Sequence, residues 1–105
     1  SHAEGRSSHA KGGYSHAEGR ACVANGQYSH AGGYNTVTTT DAEFATGKWN
    51  KSEANTIFSV GNGTSEGNRK NAFEIKNDNT AYINGVKVMT QADYDALLAR
   101  IEALE

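Results

Sequence analysis

The four histidines are the side chains of this sequence that could support the widest chemistry, and all of them share one position in a short repeat. They stand second in seven-residue units, at His2, His9, His16 and His30. Imidazoles bind metal ions, exchange protons near neutral pH and form hydrogen bonds. The ligands of one ion come from mixed spacings, whereas these histidines simply follow the repeat. We therefore expect a hydrogen-bonded ladder of His, Ser and Glu side chains and predict no metal ligand.

The other polar residues show no catalytic arrangement. The sequence has no nucleophile elbow, phosphate-binding loop or zinc motif. Asp41 with Glu43, or Glu66 with Glu74, have the residue types of a glycosidase pair, but their spacing is typical of solvated surface charge. Cys22 is the single cysteine, and we interpret it as a small packed residue. We predict that the chain is not an enzyme, has no catalytic residue and needs no cofactor.

A seven-residue repeat over residues 1–49 must position the histidines. Its third position is Ala and its fifth is Gly in six of seven units, and both rules fail together in residues 36–42. Glycines within the repeat and the lack of an apolar seam exclude a coiled coil, and the absence of proline argues against collagen. Small and larger residues alternate over the first five positions, which predicts a short strand followed by a turn.

Residues fourteen positions apart match more closely than residues seven positions apart. Arg6 matches Arg20 and Tyr14 matches Tyr28, each fourteen residues apart. One coil of a narrow parallel β-roll or β-solenoid would then contain two units, with two short strands and two tight turns. Successive coils would lie about 4.7 Å apart. The repeat therefore predicts a mainly β fold built from 14-residue coils.

Such a solenoid is too thin to be stable alone. Its interior would hold little more than methyl groups, and each buried CH₂ contributes only about 0.8 kcal/mol. The hydrophobic fraction of the chain is 36%. We therefore infer a homo-oligomer that buries larger groups between chains. The net charge of −2 gives no electrostatic reason to bind nucleic acid, and the sequence has no apolar run that would insert in a membrane.

A small antiparallel β module is predicted after the repeat. Residues 50–55 are polar and look like a linker, and residues 56–89 contain short β-prone runs. The pair Asn84-Gly85 predicts a tight hairpin. The expected strands are 56–60, 72–76, 80–83 and 86–88. A module of this size is not expected to be stable by itself.

A helix is predicted over residues 90–105. Thr90 followed by Asp93 is close to a capping box. The apolar residues of the helix follow the a/d spacing of a coiled coil, and we call them the helical seam: Tyr94, Leu97, Ile101 and Leu104. Two heptads are too few for an isolated coil, so we expect copies of the helix to meet in an oligomer. The alternative is a lone amphipathic helix packed on the strands.

Aromatic residues at the turns are candidates for sugar binding. They are Tyr14, Tyr28, Tyr34 and Trp49. Aromatic rings on a fibre surface could stack on sugars. Alternatively, they could cover the edges of the roll or pack on neighbouring chains, and the spacing of Tyr14 and Tyr28 would place them in a ladder.

The Ser-His-Ala-Glu-Gly units resemble the head repeats of trimeric β-roll fibres. They are similar to YadA-like trimeric autotransporter adhesin heads, and closer still to the SHAEG-type repeats of phage and prophage tail fibre and tail spike proteins. The segment FSVGNGTSEGNRKNAFEIKNDNTAYINGVKV resembles the β-rich module that follows such repeats. ADYDALLARIEALE resembles the short helix that ends them. Because the chain starts in register at Ser1, we expect it to be a segment of a longer array.

The resemblance implies a parallel homotrimer around a threefold axis, with His2, His16 and His30 at the interface beside the helical seam. Three imidazoles around such an axis could also bind a metal ion or an anion. Stacked histidines disfavour each other's charged form, so we expect weaker assembly in acid.

The resemblance also implies a function. The chain would be a structural and receptor-binding segment of a phage tail fibre, located in the virion tail, that contacts a glycan or protein of the bacterial surface. The alternatives are the head fragment of a trimeric adhesin and the non-catalytic stalk of a polysaccharide-degrading tail spike.

Overall fold

The computed structural model describes residues 1–105, and its first half is a narrow solenoid of stacked coils. The strands of the solenoid are β1 (His2–Ala3), β2 (His9–Ala10), β3 (His16–Arg20), β4 (Val23–Ala24), β5 (His30–Tyr34), β6 (Val37–Thr38), β7 (Phe44–Lys48) and β8 (Thr56–Asn62). Strands β1, β3, β5, β7 and β8 are neighbours in one sheet, and β2, β4 and β6 form a second. His16 pairs in parallel with His30, fourteen residues later. The predicted 14-residue coil is confirmed.

The interior of the solenoid is as thin as the repeat predicts. Its fully buried apolar residues are Ala17, Cys22, Ala24, Ala31 and Ala45. Buried hydroxyl groups fill the remaining space, and the Ser29 hydroxyl lies 2.6 Å from the Gly26 carbonyl and 2.8 Å from the Thr38 hydroxyl. In the whole chain only 18 of 105 residues are buried. Little apolar area therefore stabilises one chain by itself.

The two turns of each coil have different backbone conformations. Every seventh residue from Ser7 to Trp49 is left-handed, with φ between 47° and 62°. The glycines at the turns that leave the first sheet also have positive φ, from +87° at Gly47 to +107° at Gly33. Gly12, at the opposite turn, does not have a positive φ. Each coil therefore contains two non-equivalent turns, in agreement with a structural period of fourteen residues rather than seven.

Glycine at the fifth position is required by the close approach of successive coils. A Cβ on Gly19 would lie 2.1 Å from the Gly33 carbonyl oxygen, and a Cβ on Gly33 would lie 2.1 Å from that of Gly47. Thr40 occupies this position in the one unit that lacks the glycine. Its hydroxyl instead lies within hydrogen-bond distance of the carbonyls of Glu53 and Ala54, at 2.9 and 3.0 Å. Thr40 thus attaches residues 50–55, which follow the repeat, to the solenoid.

The antiparallel module continues the first sheet without a break. β8 pairs in parallel with β7 and antiparallel with β9 (Asn71–Lys76), so it belongs to both parts. β10 (Ala81–Ile83) and β11 (Val86–Lys87) complete the sheet. The predicted hairpin is present, because Asn84 and Gly85 both have positive φ, 50° and 76°.

The polar segment 50–55 connects β7 and β8 and closes a coil. Asn50 is fully buried. Its side-chain oxygen accepts from the Val37 amide at 2.7 Å, and its side-chain nitrogen donates to the Val37 carbonyl at 2.9 Å. Asn50 stands at the first position of the next unit, where most repeat units have Ser. Because the repeat pattern is lost at this residue, the sequence alone indicates a linker here.

Helix α1 (Gln91–Ala103) extends from the sheet with no buried residue. Thr90 and Asp93 form the capping box that the sequence predicts. The helix contacts no strand, so the alternative of a lone helix packed on the strands is not observed. The seam stays exposed, from 44% at Leu97 to 88% at Leu104. The structure contains no helix whose length and apolar character would allow it to cross a membrane.

We predict that Gly19→Ala destabilises the solenoid strongly. The added methyl group would collide with the Gly33 carbonyl, and Ala would have to adopt a φ of +104°. Together, left-handed strain and overpacking should lower the free energy of unfolding by about 3 kcal/mol or more. Urea denaturation measures this difference. Gly13→Ala is the matched control, because nothing lies within 4 Å of its added Cβ. Equal stability of the two variants would contradict the close stacking of coils.

Candidate functional site

Equivalent residues of successive coils form a column of stacked rings on the outer face of the first sheet. We call it the ring column, and it comprises His2, His16, His30, Phe44 and Phe58. The centroids of His16 and His30 are 4.6 Å apart and their planes differ by 2°. His9 lies outside the column, because its strand pairs with β4 in the second sheet. The three histidines predicted for an interface are therefore brought together on one exposed face.

Two carboxylates lie beside the histidines of the ring column. Glu4 Oε1 is 3.1 Å from His2 Nε2. Glu18 reaches two coils, since its Oε2 is 3.4 Å from His16 Nε2 and its Oε1 is 3.6 Å from His30 Nε2. The residue in register with Glu18 in the next coil is Gly32, so that coil has no carboxylate at this position. Glu18 is therefore shared by two imidazoles.

The electrostatic environment of His30 disfavours its charged form. Burial is the main cause of the lowered pKa of His30, and the neighbouring His16 lowers it further. The carboxylate of Glu18 acts in the opposite direction but does not prevail. The imidazole of His30 is thus held neutral at neutral pH.

The His and Glu side chains form two groups that could hold a metal ion. One comprises His2, Glu4 and His16, the other His16, Glu18 and His30, and within each group the ligand atoms lie within 4.8 Å of one another. Reasoning from the repeat missed these groups because each one combines ligands from adjacent coils. The available signal was the His-x-Glu pattern, repeated at fourteen residues and followed by a third histidine.

The four predicted aromatic residues form two separate pairs. Tyr14 stacks on Tyr28, with centroids 5.4 Å apart and planes differing by 2°, as the coil spacing predicts. Both rings are exposed, at 80% and 60%. Tyr34 and Trp49 form an edge-to-face pair 5.8 Å apart at the other turns. The four rings therefore do not form one continuous surface.

The Tyr34–Trp49 pair is partly covered by arginines. Arg20 lies 5.6 Å from the centroid of Tyr34, and Arg69 lies 5.1 Å from that of Trp49. Arg69 also donates to the carbonyls of Asn35 and Asn50, at 2.9 and 3.1 Å. This arginine comes from the loop before β9, so it attaches the antiparallel module to the solenoid. Trp49 thus has a packing role, and Tyr14 with Tyr28 is the more accessible pair.

A polar cavity of about 390 Å³ lies on the antiparallel module. Its lining includes Lys51, Glu53, Lys70, Lys76 and Tyr82. Glu53 pairs with Lys76 at 3.0 Å and with Lys51 at 3.3 Å, and these cations lower the pKa of its carboxyl group. The cavity offers many hydrogen-bonding groups, and its lining has four cationic side chains against two carboxylates. It was missed in the sequence because its residues come from three separate segments.

Glu43 corrects one prediction made from the sequence. We interpreted it as solvated surface charge, but only 1% of the residue is exposed. Its carboxylate accepts from the amides of Thr39 and Thr40 at 3.0 and 3.1 Å and from the Ser52 hydroxyl at 2.8 Å. Burial raises the pKa of Glu43 despite these bonds. The residue organises the turn of the unit that departs from the repeat.

No family model, curated protein or solved structure matches this chain.

We predict that His30 makes the fold less stable in acid. Its folded-state pKa is lowered, so below about pH 6.5 the unfolded chain takes up a proton before the folded chain does. The free energy of unfolding should then fall as the pH drops through this range. Urea denaturation at pH 8 and pH 5, with a chelator present to remove bound ions, measures the loss.

His30→Phe is the matched variant for this comparison, because Phe44 already continues the same column. It should lose less stability between the two pH values than the parent chain. The buried carboxyl of Glu43 is present in both chains, so its titration cancels in the comparison. Identical losses in the two chains would contradict the assignment to His30.

Proposed function

We propose that this chain is a structural and receptor-binding segment of a trimeric phage tail fibre that contacts the bacterial cell surface. The observation that carries the proposal is the uncovered apolar seam of α1, together with a solenoid that buries almost no large apolar side chain. A chain with 18 of 105 residues buried needs partners for its remaining apolar groups. Other copies of this chain suit this role, because their helices present apolar residues at the same a/d spacing.

A parallel arrangement suits the shape of the chain. The Cα extents are 61 × 27 × 16 Å, and the helix follows the sheet at one end of the sequence. Parallel copies would bring Tyr94, Leu97, Ile101 and Leu104 together in one short three-stranded coil. The same arrangement would place the ring column, with His2, His16 and His30, toward the threefold axis. Neither feature by itself is large enough to hold copies together, but the two would act jointly.

A glycan of the bacterial surface is the favoured receptor. Tyr14 and Tyr28 are exposed beyond their contact with each other, and their rings offer apolar area on which sugar rings can stack. The polar cavity of the antiparallel module offers donors and acceptors for sugar hydroxyls. Both sites would lie on the outside of a fibre in the virion tail. The net charge of −2 gives no electrostatic reason to bind nucleic acid.

We predict that charge on the helical seam abolishes assembly. The double variant Leu97→Asp with Ile101→Asp would place carboxylates between the helices, where burial of charge is costly. Multi-angle light scattering should change from about three times the 11.2 kDa of one chain to a single chain. Ala99→Asp is the matched control, since it adds a carboxylate on the opposite face of α1. Loss of assembly in the control as well, or a parent chain that is already monomeric, would contradict the trimer.

We predict that glycan binding depends on the stacked tyrosines. Replacing Tyr14 and Tyr28 together by Ala should lower binding at least about tenfold, because ring stacking on sugars is lost. The matched variant with Phe at both positions keeps the stack and should bind. A glycan array of bacterial surface sugars gives the measurement. If the parent chain binds no sugar and no bacterial cells, the receptor-binding part of the proposal fails and a stalk remains.

A further inference from the structure

Three potential metal ligands converge at one place on the ring column. His16 and His30 provide two imidazoles from adjacent coils, and Glu18 provides a carboxylate that reaches both. We propose that His16, Glu18 and His30 form a binding site for a divalent transition-metal ion such as Zn²⁺ within a single chain. Two imidazoles and one carboxylate suit Zn²⁺ and its neighbours in the transition series, and they leave a coordination position open to water. All three ligands come from one chain, so the site does not require the proposed trimer.

The distances within the site are close to those of a bound ion. Bonds of about 2.0–2.2 Å to zinc in a tetrahedron place the ligand atoms about 3.4 Å apart. Glu18 Oε2 is already 3.4 Å from His16 Nε2, and Glu18 Oε1 is 3.6 Å from His30 Nε2. All three ligand atoms lie within 4.8 Å of one another. These two distances involve different oxygens of Glu18, so binding requires the carboxylate to turn toward the ion and the two stacked rings to tilt toward each other at their Nε2 edges.

His16 has a nitrogen that no protein group satisfies. Its Nε2 atom is buried and has no hydrogen-bond partner. The carboxylate of Glu18 is near in distance, but the pair does not have the alignment of a hydrogen bond. A buried polar atom without a partner is unfavourable, and few occur in folded proteins. An ion between His16 and Glu18 would accept the lone pair of this nitrogen.

Gly32 leaves the space for an ion open. Its backbone is outside the left-handed region, so the conformation does not require glycine there. A Cβ at this position would lie 3.3 Å from His30 Nε2 and 3.6 Å from Glu18 Cγ. A side chain like those of Glu4 and Glu18 would therefore fill the space between the ligands. The missing side chain lets Glu18 and an ion share that space.

The second group of ligands is less suited to hold an ion. It shares His16 with the first group, so one imidazole nitrogen cannot serve both at once. The side chains of His2 and Glu4 are 60% and 59% exposed, whereas those of Glu18 and His30 are 48% and 29% exposed. Water competes less well at the more enclosed group. We therefore place one ion per chain between the coils that contain His16 and His30.

Zinc titration of the untagged full chain tests the proposal. Isothermal titration calorimetry should give one Zn²⁺ per chain, and Zn²⁺ should raise the melting temperature because the ion links two adjacent coils. Glu18→Gln and His30→Phe should each weaken the affinity at least about tenfold. Both changes are conservative in shape, and circular dichroism confirms that each variant is folded. Co²⁺ gives an independent readout, since a site with nitrogen and oxygen ligands and low coordination number produces strong visible absorption.

Two matched controls separate this site from the alternatives. His9→Ala removes a repeat histidine of the other sheet, and it should leave the Zn²⁺ affinity unchanged. His2→Ala removes a ligand of the second group only, and it should also leave the affinity unchanged. If the His9 variant weakens binding as much as the His30 variant, binding is nonspecific and the proposal fails. It also fails if only the His2 variant loses binding, or if one ion binds per three chains, which would place the ion between copies.

Discussion

The close stacking of glycine carbonyls is the constraint that sets the geometry of the whole chain. A Cβ on Gly5, Gly19 or Gly33 would lie 2.0–2.1 Å from the carbonyl oxygen of the next coil. Only glycine allows this approach, and the approach keeps successive coils in strict register. Register in turn places equivalent residues of successive coils over one another, so three of the four histidines continue into Phe44 and Phe58 as one column, and Tyr14 stacks on Tyr28. A shift of one residue would disperse every column.

The same constraint leaves much of the chain uncovered. Apart from Glu43 and Asn50, the residues that these closely stacked coils bury are Gly, Ala, Cys, Ser and Thr. The larger rings must lie outside, where the ring column forms a continuous face of one chain. The helix adds an apolar seam that touches no strand. Assembly of copies would cover these faces, and a metal ion would connect neighbouring coils of one chain. The proposed trimer and the proposed metal site therefore both depend on the stacking of successive coils.

The sequence predicts regular features of this fold well and irregular ones less well. The fourteen-residue spacing of paired units predicts the coil. Asn84-Gly85 predicts the hairpin between β10 and β11, because these two residue types readily adopt the positive φ of a tight turn. The role of β8 was missed because it lacks the Ala of the repeat, although Phe58 stands fourteen residues after Phe44. The bridging role of Glu18 depends on the missing side chain of Gly32. Such a contact between coils is visible only once the register is known.

Small-angle X-ray scattering of the full chain is the sharpest test of the proposed parallel trimer, because it reports mass and length together. Side-by-side parallel copies triple the mass of one 11.2 kDa chain while the longest dimension stays near the 61 Å of a single chain. We expect this combination. A particle with the mass of one chain, or one that grows by multiples of this length as copies are added, would contradict the parallel trimer.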